Sequence, residues 1–202
     1  MIAPGRRHLG LLLLSGLLAG CGSPGVQPAM PEVAPAASTP PLAPATSSAF
    51  GPSETSPRGL LVKKVGQPAG FSNQAKEVTA TFVVDKITVD GACTGQFAEK
   101  PENGHFVILD IRVETTPAMT ENDGVQINPM DWSVIGPDGV TESQLSTTAA
   151  GQCVDLKDSL QPQRYTPASK YRGKLVLDTA HPAGVLILQP PGGGGWEWTY
   201  PA

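Results

Sequence analysis

The side chains most capable of chemistry are few and widely spaced. Of the three histidines, His8 lies in a leader-like N-terminal stretch, which leaves His105 and His181. With an acid and a serine or cysteine, either could complete a hydrolytic triad. No Gly-x-Ser-x-Gly nucleophile elbow occurs. His105 follows the Asn103-Gly104 turn at the start of a strand-like run, and His181 precedes Pro182 in a connecting stretch, so both read as turn or loop histidines. A blue-copper centre needs two histidines, a cysteine and usually a methionine, with the cysteine close to one histidine in sequence. Cys153 and His181 are too far apart for that spacing, and Met119 and Met130 stand alone. Thr120-Glu121-Asn122-Asp123-Gly124 gathers oxygen ligands but lacks the alternating acids of an EF-hand calcium loop, and reads as a plain turn. The glycine run from Gly192 to Gly195 has no helix after it and cannot be read as a phosphate cradle. These patterns name no catalytic residue, no metal site and no cofactor.

The cysteines carry the clearest chemistry. Cys21 ends the stretch Leu18-Ala19-Gly20-Cys21, which has the small residues and terminal thiol of a bacterial lipobox. Before it, Arg6 and Arg7 supply a positive region, and Leu9 to Ala19 form an apolar run of signal-peptide length, too short to span a bilayer. The expectation is a signal peptide over residues 1–20 and diacylglycerol on Cys21. The alternative is ordinary secretory cleavage that leaves Cys21 as a thiol. Two or three acyl chains, at about 0.8 kcal/mol per buried methylene, give an essentially permanent anchor. Cys93 and Cys153 then remain as an even pair, which outside the cytoplasm most economically forms a disulfide. Neither sits in a C-x-x-C motif or within a few residues of a histidine, as a redox or metal role would favour.

These groups need elements to hold them. Residues 22–58 hold nine of the 21 prolines and almost no large apolar side chains, so the segment cannot offset its chain entropy and reads as a disordered tether over residues 21–58. Its reach is between about 35 Å as a coil and about 110 Å extended. From Gly59 to Ala202 the pattern changes to short alternating apolar runs punctuated by Gly, Pro, Asn and Asp, which predicts an all-β, antiparallel sandwich of about seven or eight strands.

Val78, Ala80, Phe82 and Val84 share one face, and Ile87 and Val89 resume out of phase, which predicts a bulge near Asp85-Lys86. Leu109, Ile111 and Val113 point in while Asp110, Arg112 and Glu114 point out. Trp132 and Val134 lead to a Gly136-Pro137-Asp138-Gly139 turn and a strand around Val140 to Leu145. Tyr171, Gly173, Leu175 and Leu177 alternate with Lys170, Arg172, Lys174 and Asp178. Val185 to Leu188 reads as a doubly covered strand, and Leu60 to Val65 as an opening edge strand. Trp196, Trp198 and Tyr200 share a face of the last strand and are assigned to the core, because aromatics make up only 5% of the chain.

The assembled motifs resemble a family of small bacterial, mostly actinobacterial, lipoproteins. Their uncharacterised domain has the immunoglobulin-like fold of the secreted mycobacterial immunoprotective extracellular antigen. The resemblance covers roughly Leu61 to Tyr200. It rests on Val65-Gly66, on F-V-I-L-D-I-R-V-E at Phe106 to Glu114, on W-S-V-I-G-P-D-G at Trp132 to Gly139, and on Y-R-G-K-L-V-L-D at Tyr171 to Asp178. It implies an extracytoplasmic immunoglobulin-like β-sandwich with no known catalytic residues.

Charge bounds the partners. With 14 Lys+Arg against 18 Asp+Glu the chain is acidic, which argues against nucleic acid as a partner. Loss of residues 1–20 takes two of those basic residues and no acid, leaving a net charge of −6. The expected function is that of a non-enzymatic lipoprotein on the outer face of the cell membrane, binding an envelope protein or cell-wall component. Its candidate binding loops at one end of the sandwich are Ala98 to His105, Thr116 to Pro129 and Ala149 to Thr166. The alternatives are a carrier with a cavity between the sheets and, third, a hydrolase built on His105 or His181.

Overall fold

The computed structural model describes residues 50–51, 54–161 and 165–201. The signal peptide, Cys21 and all but the last few residues of the tether lie outside them. No helix among the described residues is long and apolar enough to cross a membrane.

The described residues form ten strands: β1 Glu54–Thr55, β2 Leu61–Val62, β3 Pro68–Ser72, β4 Val78–Val89, β5 His105–Thr115, β6 Trp132–Ile135, β7 Thr141–Glu142, β8 Lys170–Thr179, β9 Gly184–Leu188 and β10 Trp196–Tyr200. One short α-helix, α1 Thr148–Gln152, and two 3-10 turns at Glu121–Asp123 and Pro129–Asp131 lie between them among the described residues. The strands make a six-stranded sheet ordered β1-β2-β10-β9-β6-β7 and a four-stranded sheet ordered β3-β4-β5-β8. The expected all-β sandwich of mostly antiparallel strands is what forms, with ten strands among the described residues where about seven or eight were expected. The pairings are antiparallel except β2 with β10, which run parallel.

Alternation explains why the two sheets meet. Ala80, Phe82 and Val84 of β4, Leu109, Ile111 and Val113 of β5, and Leu175 and Leu177 of β8 face Trp132, Val134, Leu186, Leu188, Trp196, Trp198 and Tyr200 of the other sheet in one buried cluster. Phe82 reaches across to Trp196 at 5.0 Å in an edge-to-face contact, and Trp198 stacks obliquely on Trp132 at 5.6 Å. The aromatic face of β10 is therefore the core side. The bulge also falls where the phase change put it. Val84 pairs with Ile111 and Lys86 with Asp110, so Asp85 is the extra residue.

Several expectations change. Leu61–Val62 lies between β1 and β10 and is not an edge strand. The strand after the Gly136–Gly139 turn shrinks to Thr141–Glu142, although Leu145 is fully buried. Glu54 and Thr55, placed in the tether by their composition, pair with β2, and Arg58 grips the buried Glu197 through two hydrogen bonds of 3.0 and 2.9 Å. Such local pairings are invisible to composition because they involve two or three residues each. Helix α1 carries too few residues to show a period. It starts at Thr147, whose hydroxyl accepts from Ala150 N, and lays Ala149 and Ala150 on Phe106, Ile108 and Val176 in a second apolar cluster. This covering explains why the outer face of β5 and β8 is apolar at one end and charged at the other.

Candidate functional site

The three candidate loops divide between the two ends of the sandwich. At the end where β5 starts and β8 finishes, the 98–105 loop meets α1: Ala149 N donates to Glu102 Oε1 at 3.1 Å. Thr116 to Pro129 leaves β5 at the opposite end, where Thr115 Oγ1 donates to Thr166 O at 2.6 Å and accepts from Ser169 N at 2.9 Å. Between the ends, residues 155–161 run beside β8, with Leu160 N donating to Lys174 O and Lys174 N to Asp158 O. Gly173 makes room for this strap, since a Cβ there would sit 2.4 Å from Leu160 N.

Cys93 and Cys153 are bonded, with Cα atoms 4.6 Å apart across 60 residues of sequence. Cys153 is fully buried at the end of α1, and its carbonyl accepts from both Thr94 N and Gly95 N at 2.8 and 3.0 Å. Gly95 is required by this approach, because a Cβ would lie 2.1 Å from Gln152 O. The bond thus fixes two surface segments against each other. Between them lies a cleft of about 440 Å³ lined by Gly95, Gln96, Phe97, Gln152, Val154 and Leu156, among others. Phe97 is 70% exposed and Leu156 78% exposed, and both line this cleft. Gln152 Oε1 is buried beside it without a hydrogen-bond partner among the described residues.

A carboxylate supports the same end. Asp178, which strand alternation turns outward, is fully buried and accepts from Glu102 N at 2.7 Å, Asn103 N at 2.9 Å and Thr147 Oγ1 at 2.7 Å. It joins β8, the 98–105 loop and the cap of α1. Strand alternation missed it because α1 and the loop cover what would otherwise be the solvent face.

The two histidines are apart from this cleft. His105 Nδ1 lies 2.8 Å from Asp90 Oδ2, giving two members of a triad, and no hydroxyl or thiol is hydrogen-bonded to the ring among the described residues. The His181 ring packs over Gly136, where a Cβ would meet it at 2.5 Å. At the far end, Asp123 Oδ2 accepts from Thr120 N and Oγ1 as a local cap. No group of three or more His, Cys, Asp or Glu side chains among the described residues is placed to hold a metal ion.

Burial displaces several ionisable groups, Lys63 and Tyr165 among them. Lys63 is almost fully buried with Nζ donating to Phe50 O at 2.8 Å, and desolvation lowers its pKa. Desolvation, with Tyr171 nearby, raises that of the buried Tyr165.

The fold and this corner define an all-β, two-sheet domain closed by one disulfide. Among solved structures the chain is similar to MPT63, a secreted protein from Mycobacterium tuberculosis, at 12% identity and a TM-score of 0.47, over 69% of this chain and 97% of that one. No family model matches the chain, and no curated protein does.

Proposed function

We propose that this is a non-enzymatic, extracytoplasmic lipoprotein that docks a protein or cell-wall component of the envelope at the disulfide corner. The observation that carries the reading is the pairing of Phe97 and Leu156, two large apolar side chains at 70% and 78% exposure, on segments that a covalent bond holds rigid. Exposed apolar and aromatic side chains on a preorganised scaffold give binding energy at low ordering cost. A disulfide suits an oxidising compartment, and the lipobox-like Leu18 to Cys21 suits a membrane anchor. The tether would let the corner reach partners away from the bilayer.

The test places a photo-crosslinking residue at position 97 or 156 in the full chain, and at exposed Glu121 on the opposite end as a control. A product that forms from 97 and 156, is absent from 121, and disappears in Phe97→Ser/Leu156→Ser is expected. Both side chains are exposed, so the double variant should melt with the wild type. Identical products from all three positions, or products unaffected by the double variant, would overturn the docking site.

A further inference from the structure

The outer face of the four-stranded sheet carries a charge ladder with one anomalous rung. Across β5 and β8 the register pairs Asp110 with Lys174, Arg112 with Arg172, and Glu114 with Lys170. The outer rungs are acid–base pairs: Lys174 Nζ donates to Asp110, and Lys170 Nζ lies 3.1 Å from Glu114 Oε1. The middle rung sets one guanidinium opposite another. Like charges directly opposed across a sheet are destabilising. Departures from local consistency of this kind are expected at functional or strained sites.

The surroundings neutralise this rung only in part. Asp85, which the bulge adds to β4, accepts from Arg112 Nε at 3.1 Å. Arg172 has no ion-pair or hydrogen-bond partner for its side chain among the described residues. The two arginines stand between two depressions and line both: one of about 380 Å³ with Thr81, Glu114 and Lys170, the other of about 570 Å³ with Asp85, Asp110, Asp158, Lys157 and Lys174. A guanidinium offers N–H groups in a planar fork. Register partners about 5 Å apart at Cα can aim two such forks at one point. A carboxylate is satisfied by one fork, whereas a phosphate group has enough oxygens to engage both. The acids on the flanking rungs oppose a dense polyanion and favour a single phosphate joined to a neutral remainder.

We infer that Arg112 and Arg172 form a binding site for one phosphate group of a phosphate ester. This site is independent of the disulfide corner. Arg172 is its uncompensated donor, and Arg112 is its second fork, held in orientation by Asp85.

The test titrates the ¹⁵N-labelled full chain with inorganic phosphate and with glycerol 1-phosphate at constant ionic strength, following the arginine Nε–H resonances. Saturable shifts of Arg112 and Arg172 are expected. Affinity should fall about tenfold in Arg172→Lys, which keeps the charge and loses the fork, and saturation should be lost in Arg172→Gln. Without phosphate, Arg172→Gln should melt above the wild type because the opposed charge is gone, and added phosphate should close that gap. A further arm measures retention on vesicles of phosphatidylglycerol in phosphatidylcholine. Arg172-dependent retention assigns the phosphate to a lipid headgroup, and soluble binding without retention assigns it to a non-lipid ester. Non-saturable shifts, equal affinity in Arg172→Lys, or a lower melting temperature for phosphate-free Arg172→Gln would overturn the site.

Discussion

Replacement of Asp178 by Asn should loosen one whole end of the sandwich. The substitution keeps size and shape and changes only charge and donor pattern. Oδ2 accepts from Glu102 N and Thr147 Oγ1, and Oδ1 from Asn103 N, so each carboxylate oxygen faces one backbone N–H. In Asn one of these positions becomes an amide NH₂, which must face a backbone donor whichever way the side chain is turned. The Thr147 hydroxyl can reverse its role; the two backbone groups cannot. At least one hydrogen bond to a charged acceptor is lost, worth about 1.5–3 kcal/mol, and a donor is left unpaired in a buried place. The remaining bonds lose their ionic character. A net loss of about 3 kcal/mol corresponds to a fall in melting temperature of roughly 6–12 °C for a domain of this size. Thermal unfolding followed by circular dichroism gives the magnitude, and amide hydrogen exchange gives the place: Glu102, Asn103 and Ala150 should lose protection before the strands β4 and β5 do. A melting temperature within about 2 °C of wild type, or unchanged protection at Glu102 and Asn103, would refute the argument that this carboxylate ties the loop, the helix cap and the sheet together.

Removal of the Cys93–Cys153 bond by a double serine variant opens a loop spanning 60 residues, and chain entropy sets the cost at about 4 kcal/mol. Reduction of the wild type should produce the same fall in melting temperature, and an unchanged melt with both thiols titratable would contradict it. Lys63→Met removes a buried ammonium while keeping its stem. Because burial lowers the Lys63 pKa from 10.5, the unfolded chain holds more protons between the folded and unfolded values, and wild-type stability rises with pH across that window. The stability of Lys63→Met relative to wild type should therefore decline from pH 7 to about pH 10.5, as read from urea midpoints; a constant difference would count against it. Tyr165→Phe removes a buried hydroxyl that has no hydrogen-bond partner among the described residues, and should leave stability unchanged or raise it by up to about 1 kcal/mol. Burial holds the Tyr165 phenol above its ordinary pKa, so the wild type should also lose stability above about pH 10 relative to the variant.

Alternation and turn chemistry made much of the molecule legible. One residue of phase change between Val84 and Ile87 was enough to locate the bulge, because a strand that must keep its apolar face inward can absorb an odd residue only by bulging. The scarcity of aromatics assigned Trp196, Trp198 and Tyr200 to the interior, where they are buried. The parity of the cysteines foresaw the Cys93–Cys153 bond. What sequence could not supply was anything that depends on which segments lie side by side. Phe97 belongs to no periodic run, and Leu156 to none either. They become a surface only because the disulfide and the backbone bonds to Cys153 O bring their segments together.

The amino-acid order by itself determined the class of fold, the inward faces of the long strands and the covalent pairing, since each follows from a local period or from counting. Tertiary structure alone decided that Asp178 is an interior hub, that the three candidate loops divide between opposite ends, and that Arg112 faces Arg172. The reason is physical: burial, registry and charge opposition are relations between distant segments, and a one-dimensional pattern carries the preference of each segment but not the identity of its neighbour.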